Sequence, residues 1–358
     1  MRMLIRSMSQ TCGANLTSRC VKRFAFSLIV SLTLGLGLTS STNAWTQTPV
    51  VIKFSHVVAS ETPKGKGAER FKELAERMTK GRVRIELHPN STLYSDKDEM
   101  EALQLGAVQM LAPSLAKFGL LGVREFEVFD LPFMFANKES LYRVTDGVIG
   151  KSLFAKLEAK GIVGLAYWDN GFKVMSANRS LIAPADFQGL KMRVQSSKVL
   201  DAQMRMLGAS PQVMAFSEVY RALETGVVDG TENPPSNVYT QKMHMVQKNL
   251  TVSNHGYLGY AVIVNKKFWD GLPTELRNTL NAAMKEATRY SNAIAQKEND
   301  DALNLIRQAG TTTVHVLADK EKAEWYRVLL PVRKEMEARI GKDLIAAVEK
   351  ESAGAVSK

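Results

Sequence analysis

Arg193 stands in Leu190-Lys-Met-Arg-Val-Gln195, where alternation along a strand puts Lys191, Arg193 and Gln195 on one face and Met192 and Val194 on the other. An arginine there either projects into a cleft, gripping a carboxylate through two parallel hydrogen bonds, or lies solvated on an edge strand. Lys173, in Asn170-Gly-Phe-Lys-Val174, poses the same choice. Asn233 precedes Pro234-Pro235, which favours an extended segment or a turn. No catalytic pattern accompanies these residues: HExxH, GxSxG, GxxxxGK[ST] and a strand-following GxGxxG are all missing. The five histidines, His56, His88, His244, His255 and His315, lack metal-ligand spacing. Acid–base pairs leave no local signature, so catalysis is not excluded, but binding without a metal or cofactor is the better-supported reading.

Short β-like runs alternate with helical patterns around these residues, which predicts an α/β fold. The strands expected are Val50–Ser55, Val83–His88, Val108–Ala112, Ile162–Trp168, Lys173–Ala177, Leu190–Val194 and Ala261–Asn265. Helices are expected over Gly67–Thr79, with Phe71, Leu74, Ala75 and Met78 on one face, and over Ser217–Thr225. Thr274–Gln308 has neither proline nor glycine, and its apolar residues recur at helical spacing between Pro273 and Gly310. That pattern reads as one helix about 50 Å long at 1.5 Å per residue, able to cross two lobes. The alternative is a pair of helices broken near Glu298-Asn299-Asp300-Asp301.

At 358 residues the chain is long enough for two lobes, and its 45% hydrophobic content is that of a globular protein. Arg2, Arg6, Arg19, Lys22 and Arg23 precede an apolar run, Phe24–Leu38, and small residues up to Ala44. This pattern predicts a signal peptide over residues 1–44, since the run is short for a membrane span. Both cysteines, Cys12 and Cys20, fall within it, so the mature chain is expected to have no thiol or disulfide. Losing five bases and no acid lowers the net charge from +11 to +6. The remaining bases interleave with acids, as in Asp319-Lys-Glu-Lys322, so no clustered basic face for nucleic acid is visible.

Several blocks, in order, give the chain a family likeness: Phe54-Ser-His-Val57, Leu103-Gln-Leu-Gly-Ala-Val108, Gly189-Leu-Lys-Met-Arg193, Gly208-Ala-Ser-Pro211, Ala215-Phe-Ser-Glu-Val-Tyr220 and Val228-Asp-Gly-Thr-Glu-Asn-Pro234. Over nearly the whole mature chain it resembles the DctP-type substrate-binding proteins of tripartite ATP-independent periplasmic (TRAP) transporters. The resemblance implies a two-lobe periplasmic binding protein with a ligand cleft between the lobes and a long helix bridging both. Lobe I would comprise 45–170 and 259–298, and lobe II 171–258 and 299–358. It further implies that Arg193 clamps a substrate carboxylate, Asn233 hydrogen-bonds it and Phe216 packs against it. Lys173 matches a position often basic in relatives; Ser114 and Lys117 match substrate-selecting positions; His56 and His255 are further candidates.

Three cations, Lys117, Lys173 and Arg193, with no acid at the matched first-lobe positions, favour a dianion such as a C4-dicarboxylate. The expected partners are that organic acid and the TRAP membrane subunits, met in the periplasm. Competing readings are a monocarboxylate or keto-acid binder of the same fold, a secreted hydrolase, and a sensory protein that presents its ligand to a membrane receptor.

Overall fold

The structure is a computed structural model that describes residues 48–353; the expected signal peptide, with Cys12 and Cys20, lies outside them. In chain order the strands are β1 (Val50–Ser55), β2 (Val83–His88), β3 (Met110–Leu111), β4 (Ile162–Phe172), β5 (Val174–Ala177), β6 (Lys191–Val194), β7 (Ser210–Val213), β8 (Gly230–Asn233), β9 (Asn249–Val252), β10 (Tyr257–Asn265) and β11 (Thr313–Val316). They form two sheets, ordered β2-β1-β3-β10-β4 and β11-β9-β5-β8-β6-β7. β1 and β2 match the sequence expectation residue for residue, whereas β3 is trimmed to two residues and β10 begins four residues early.

The chain crosses from one sheet to the other at two adjacent places. Lys173 alone separates β4 from β5, and Ser253–Gly256 separate β9 from β10. The Lys173 N–H donates to the Gly256 carbonyl at 2.9 Å, so the crossovers are hydrogen-bonded to each other.

The first helix, Pro63–Met78, starts at Thr62, whose hydroxyl accepts the Gly65 N–H at 3.1 Å, with proline at the first helical position. Its buried face, Phe71, Leu74 and Ala75, packs with Ile52, Phe54 and Trp168 and with Leu276, Leu280 and Met284 of a long helix. Gly67 permits this close approach, because a Cβ there would lie 2.8 Å from the Ser291 side chain.

The long helix runs unbroken from Thr274 to Ala309 and ends at Gly310 in the left-handed conformation. At 36 residues it spans about 54 Å. Its far end, Ile306, joins a second core with Val219, Leu223 and Val238. No break occurs near 298–301 because Asn299 is buried and tied across the crossover. Its amide donates to the Asn170 carbonyl, and its Oδ1 accepts the Ser236 N–H at 3.0 Å. Gly171, at φ +146°, leaves room for that amide: a Cβ would come within 2.7 Å of Asn299 Nδ2.

A third, larger apolar core is shared between the halves. It gathers Leu103, Phe118 and Phe129 from the first half with Met175, Met192 and Met204 from the second. Leu329, Val332, Ile340 and Val348 of the C-terminal helices complete it. Those helices are also tied to the first half by polar contacts. Arg333 donates to the Pro132 and Phe133 carbonyls at 3.0 and 2.8 Å, and Arg339 pairs with buried Glu127.

Candidate binding site

Both sheets contribute walls to a tight, partly open cavity of about 20 Å³, room for about one water molecule and well below the usual range for small-molecule sites. Ser114, Lys117, Arg193, Phe216 and Asn233, all singled out from the sequence, line it. Asp96, Gln195, Asn237 and Tyr260 line it as well, with Val57, Val58 and Leu258 as its apolar surface.

β6 lies between β8 and β7, so Arg193 is not on an edge strand; it is 1% exposed. Its Nε and Nη2 both donate to the Met214 carbonyl, at 3.1 and 2.9 Å, which fixes one edge of the guanidinium. The group stacks 5.8 Å from the Phe216 ring centroid. Burial lowers its pKa, with Asp96, Glu232 and Glu218 opposing. A guanidinium nevertheless stays protonated, and its remaining N–H donors are available.

Asn233 closes β8 just ahead of Pro234. Its Oδ1 accepts from Asn237 Nδ2 at 3.3 Å, while its own buried Nδ2 has no partner among the described residues. A buried amide donor without an acceptor costs about 1–3 kcal/mol, so a ligand oxygen there would recover that loss. Asn237 Nδ2 also reaches the Tyr260 hydroxyl at 3.4 Å. Ser114 caps the short turn Leu115–Lys117, where its Oγ accepts the Ala116 N–H at 3.3 Å.

Lys117 is already engaged. Its ammonium pairs with Asp96 at 2.9 Å and Glu99 at 3.2 Å and donates to the Asp96 carbonyl at 2.7 Å. Burial raises the Asp96 pKa, but Lys117, Arg193 and the Phe216 N–H outweigh it and hold the carboxyl below its ordinary range. That Phe216 N–H donates to Asp96 Oδ1 at 3.0 Å, from the other side of the cavity.

Lys173 and His255 do not line the cavity, which corrects the expectation for both. Glu232 stands between them: Lys173 Nζ sits 2.6 Å from its Oε1, and His255 Nε2 sits 2.9 Å from its Oε2. Ser253 Oγ lies 2.7 Å from His255 Nδ1. All four are at most 2% exposed. Burial raises the Glu232 pKa, yet Lys173 and then His255 bring it down to about 2. One residue from each crossover is thus tied to the strand that carries Asn233.

His56 is also displaced from the site, buried beside Phe54 with an unpartnered Nδ1. Burial and the nearby Lys64 charge push it down to about 3. Of the three expected cations, Lys117 and Lys173 are held by acids, and Arg193 has no carboxylate in ion-pair contact among the described residues. No cluster of three metal-ligating side chains occurs among the described residues.

The sequence reading missed Asp96, Asn237 and Tyr260. Asp96 falls in Ser95-Asp-Lys-Asp98, which reads as solvated loop, and Asn237 follows two prolines in an apparent turn. Tyr260 had a signal, standing directly before an expected strand, and lies in β10, buried along its full length.

Two sheets, two hydrogen-bonded crossovers and a small polar-lined cavity between them define a two-lobe α/β binding protein. Residues 54–339 match the model of bacterial extracellular solute-binding protein, family 7 (DctP), and the chain belongs to that family. It is 67% identical over 301 residues to the C4-dicarboxylate-binding periplasmic protein DctP of Rhodobacter capsulatus, covering 84% of this chain and 90% of that one. A TRAP periplasmic solute binding protein from Sulfurospirillum deleyianum, solved with bound succinate, matches with TM-score 0.82 and 45% identity over 85% of this chain and 99% of its own. One from Pseudomonas aeruginosa PAO1, solved with bound L-malate, gives TM-score 0.78 and 43% identity over 80% of this chain and 100% of its own.

Proposed function

We propose that this protein captures a C4-dicarboxylate such as succinate or malate in the periplasm and delivers it, chemically unchanged, to the membrane subunits of a TRAP transporter. The observation that carries the reading is Arg193: a fully buried cation facing the cavity, fixed along one edge and without a carboxylate partner among the described residues. A substrate carboxylate completes the pair, with the unpartnered Asn233 amide as a further donor and the Phe216 ring against the carbon chain. The relatives that bind succinate and malate support the four-carbon diacid.

Closure on this reading moves the sheet that carries Tyr260 against the sheet that carries Arg193 and Asn233, with the two crossovers as hinges and the C-terminal helices, tied to 127–133, held on the first half. A ligand bridging both halves favours the closed arrangement only through its differential affinity for it. No helix among the described residues is long and apolar enough to cross a membrane.

Ser253, His255 and Glu232 form a hydrogen-bonded chain like that of a hydrolytic triad, but Ser253 and His255 are 1% and 0% exposed. No substrate carbonyl reaches that hydroxyl, which argues against the hydrolase. One observation does favour a monocarboxylate: with Lys117 and Lys173 ion-paired, Arg193 is left of the three cations expected from the sequence. Isothermal titration of ligand-stripped protein separates the readings. Succinate or malate binding at least tenfold tighter than four-carbon monocarboxylates supports the dicarboxylate reading; the reverse order overturns it.

A further inference from the structure

We propose that Lys64 is the titratable counter-charge of the cavity: entry of a dicarboxylate drives a proton from solvent onto its amine, so that dianion capture is coupled to proton uptake. The inference rests on the dicarboxylate reading above and names a group that the sequence gave no reason to suspect.

Lys64 is the second residue of the first helix and is 0% exposed. Its Nζ donates to the Ala112 carbonyl at 2.9 Å and lies 3.7 Å over the ring centroid of Tyr260, a wall of the cavity. It has no carboxylate within ion-pair distance among the described residues. A cation in the first turn of a helix also opposes the helix dipole. Geometry therefore leaves the charged form of Lys64 weakly supported, directly behind the site.

The groups around it come from five elements. Asp96 belongs to the loop before the helix Glu99–Leu105, Glu99 begins that helix, and Lys117 ends the turn at 115–117. His56 follows β1, and Tyr260 comes from β10. Burial brings Lys64 down to about 7; Glu99 and Asp96 oppose the shift, and Lys117 adds to it. Burial keeps His56 neutral and raises Tyr260, so neither changes charge near neutral pH.

Lys117 is shared by Asp96 and Glu99, and Arg193 is left to pair with one ligand carboxylate. These four side chains sum to zero formal charge, so a bound dianion leaves the buried cluster with a net charge of −2, and a proton on Lys64 halves that excess. The ligand thus raises proton affinity at Lys64, and by reciprocity the proton raises affinity for the ligand. Above about pH 7 the dissociation constant for succinate climbs by up to about tenfold per pH unit, until the Lys64 pKa of the complex is passed.

The test is calorimetry of succinate and malate binding at pH 7.5 in phosphate and in Tris, which differ in ionisation enthalpy. The slope between buffers reads protons taken up per ligand; about half a proton or more is expected. Lys64→Met should bind more weakly with no uptake. Lys64→Arg, charged at every pH, should also show none while retaining affinity. Binding heat without a buffer slope in the native protein overturns the inference and leaves the dicarboxylate reading intact. Uptake that persists in either folded variant overturns it too, by assigning the proton to another group. Absence of binding by both diacids overturns the dicarboxylate reading, and this inference with it.

Discussion

Arg193 has five N–H donors and places two of them on one backbone carbonyl, so its orientation is fixed before a ligand arrives. Lysine at this position would keep the charge and lose the fork. Arg193→Lys is therefore expected to raise the dissociation constant for succinate at least about tenfold, the loss of roughly one charged hydrogen bond. Calorimetry reads the affinity, and circular dichroism checks that the fold persists. His56 governs a different property. It is held neutral in the fold at about 3, whereas the unfolded chain takes up a proton there below pH 6.5. Stability is consequently lost as pH falls from 6.5 towards 3, by up to about 1.4 kcal/mol per unit. Urea titrations of His56→Gln at pH 7 and pH 5 should show a shallower acid loss than the native chain; an unchanged loss would clear His56. Neither environment can be read from residue type. Arg193 came from strand alternation and family likeness, but its partner carbonyl, like the two acids on Lys117, exists only after folding.

The long helix shows why some elements announce themselves in a sequence and others do not. Its apolar residues repeat without a proline or glycine for more than thirty positions, and proline and glycine mark its ends. By contrast β8, Gly-Thr-Glu-Asn, and β9, Asn-Leu-Thr-Val, are short and polar, yet most of their residues are buried. They are strands because neighbouring strands pair with them, so no local pattern reveals them. The same polarity made Asn299 look like a helix break. It is instead the residue through which the helix holds the first crossover, satisfying the Asn170 carbonyl and the Ser236 N–H. Asn299→Ala favours helix propensity yet strands both backbone groups, and a net loss of about 2 kcal/mol in urea unfolding is expected. A gain in stability would show that solvent replaces those bonds.

Glu232 connects the two crossovers with the strand that leads to the cavity, and its removal should be felt throughout the protein. Glu232→Gln leaves the buried Lys173 ammonium without its counter-charge, a change that costs about 3–5 kcal/mol in comparable settings. A drop of that size in urea-unfolding free energy is expected; a change below about 1 kcal/mol would show that another group takes over the Lys173 charge. Lys97 and Glu218, close in sequence to the cavity residues Asp96 and Phe216, also pair 3.1 Å apart, but both are largely solvated. Lys97→Ala should leave stability within about 1 kcal/mol. The division into two halves was legible from length, alternating elements and family likeness. The shared core was not, because it brings together apolar residues more than a hundred positions apart. That core limits how evolution or an engineer can recombine the protein. A chimera taking one half from a relative of different ligand preference would inherit a C-terminal segment whose Arg339 expects Glu127 and whose Val332 and Ile340 expect a particular mixture of side chains from both halves. New ligand preferences are therefore reached more readily by point changes around the cavity than by exchange of halves, and the protein behaves as one heritable unit.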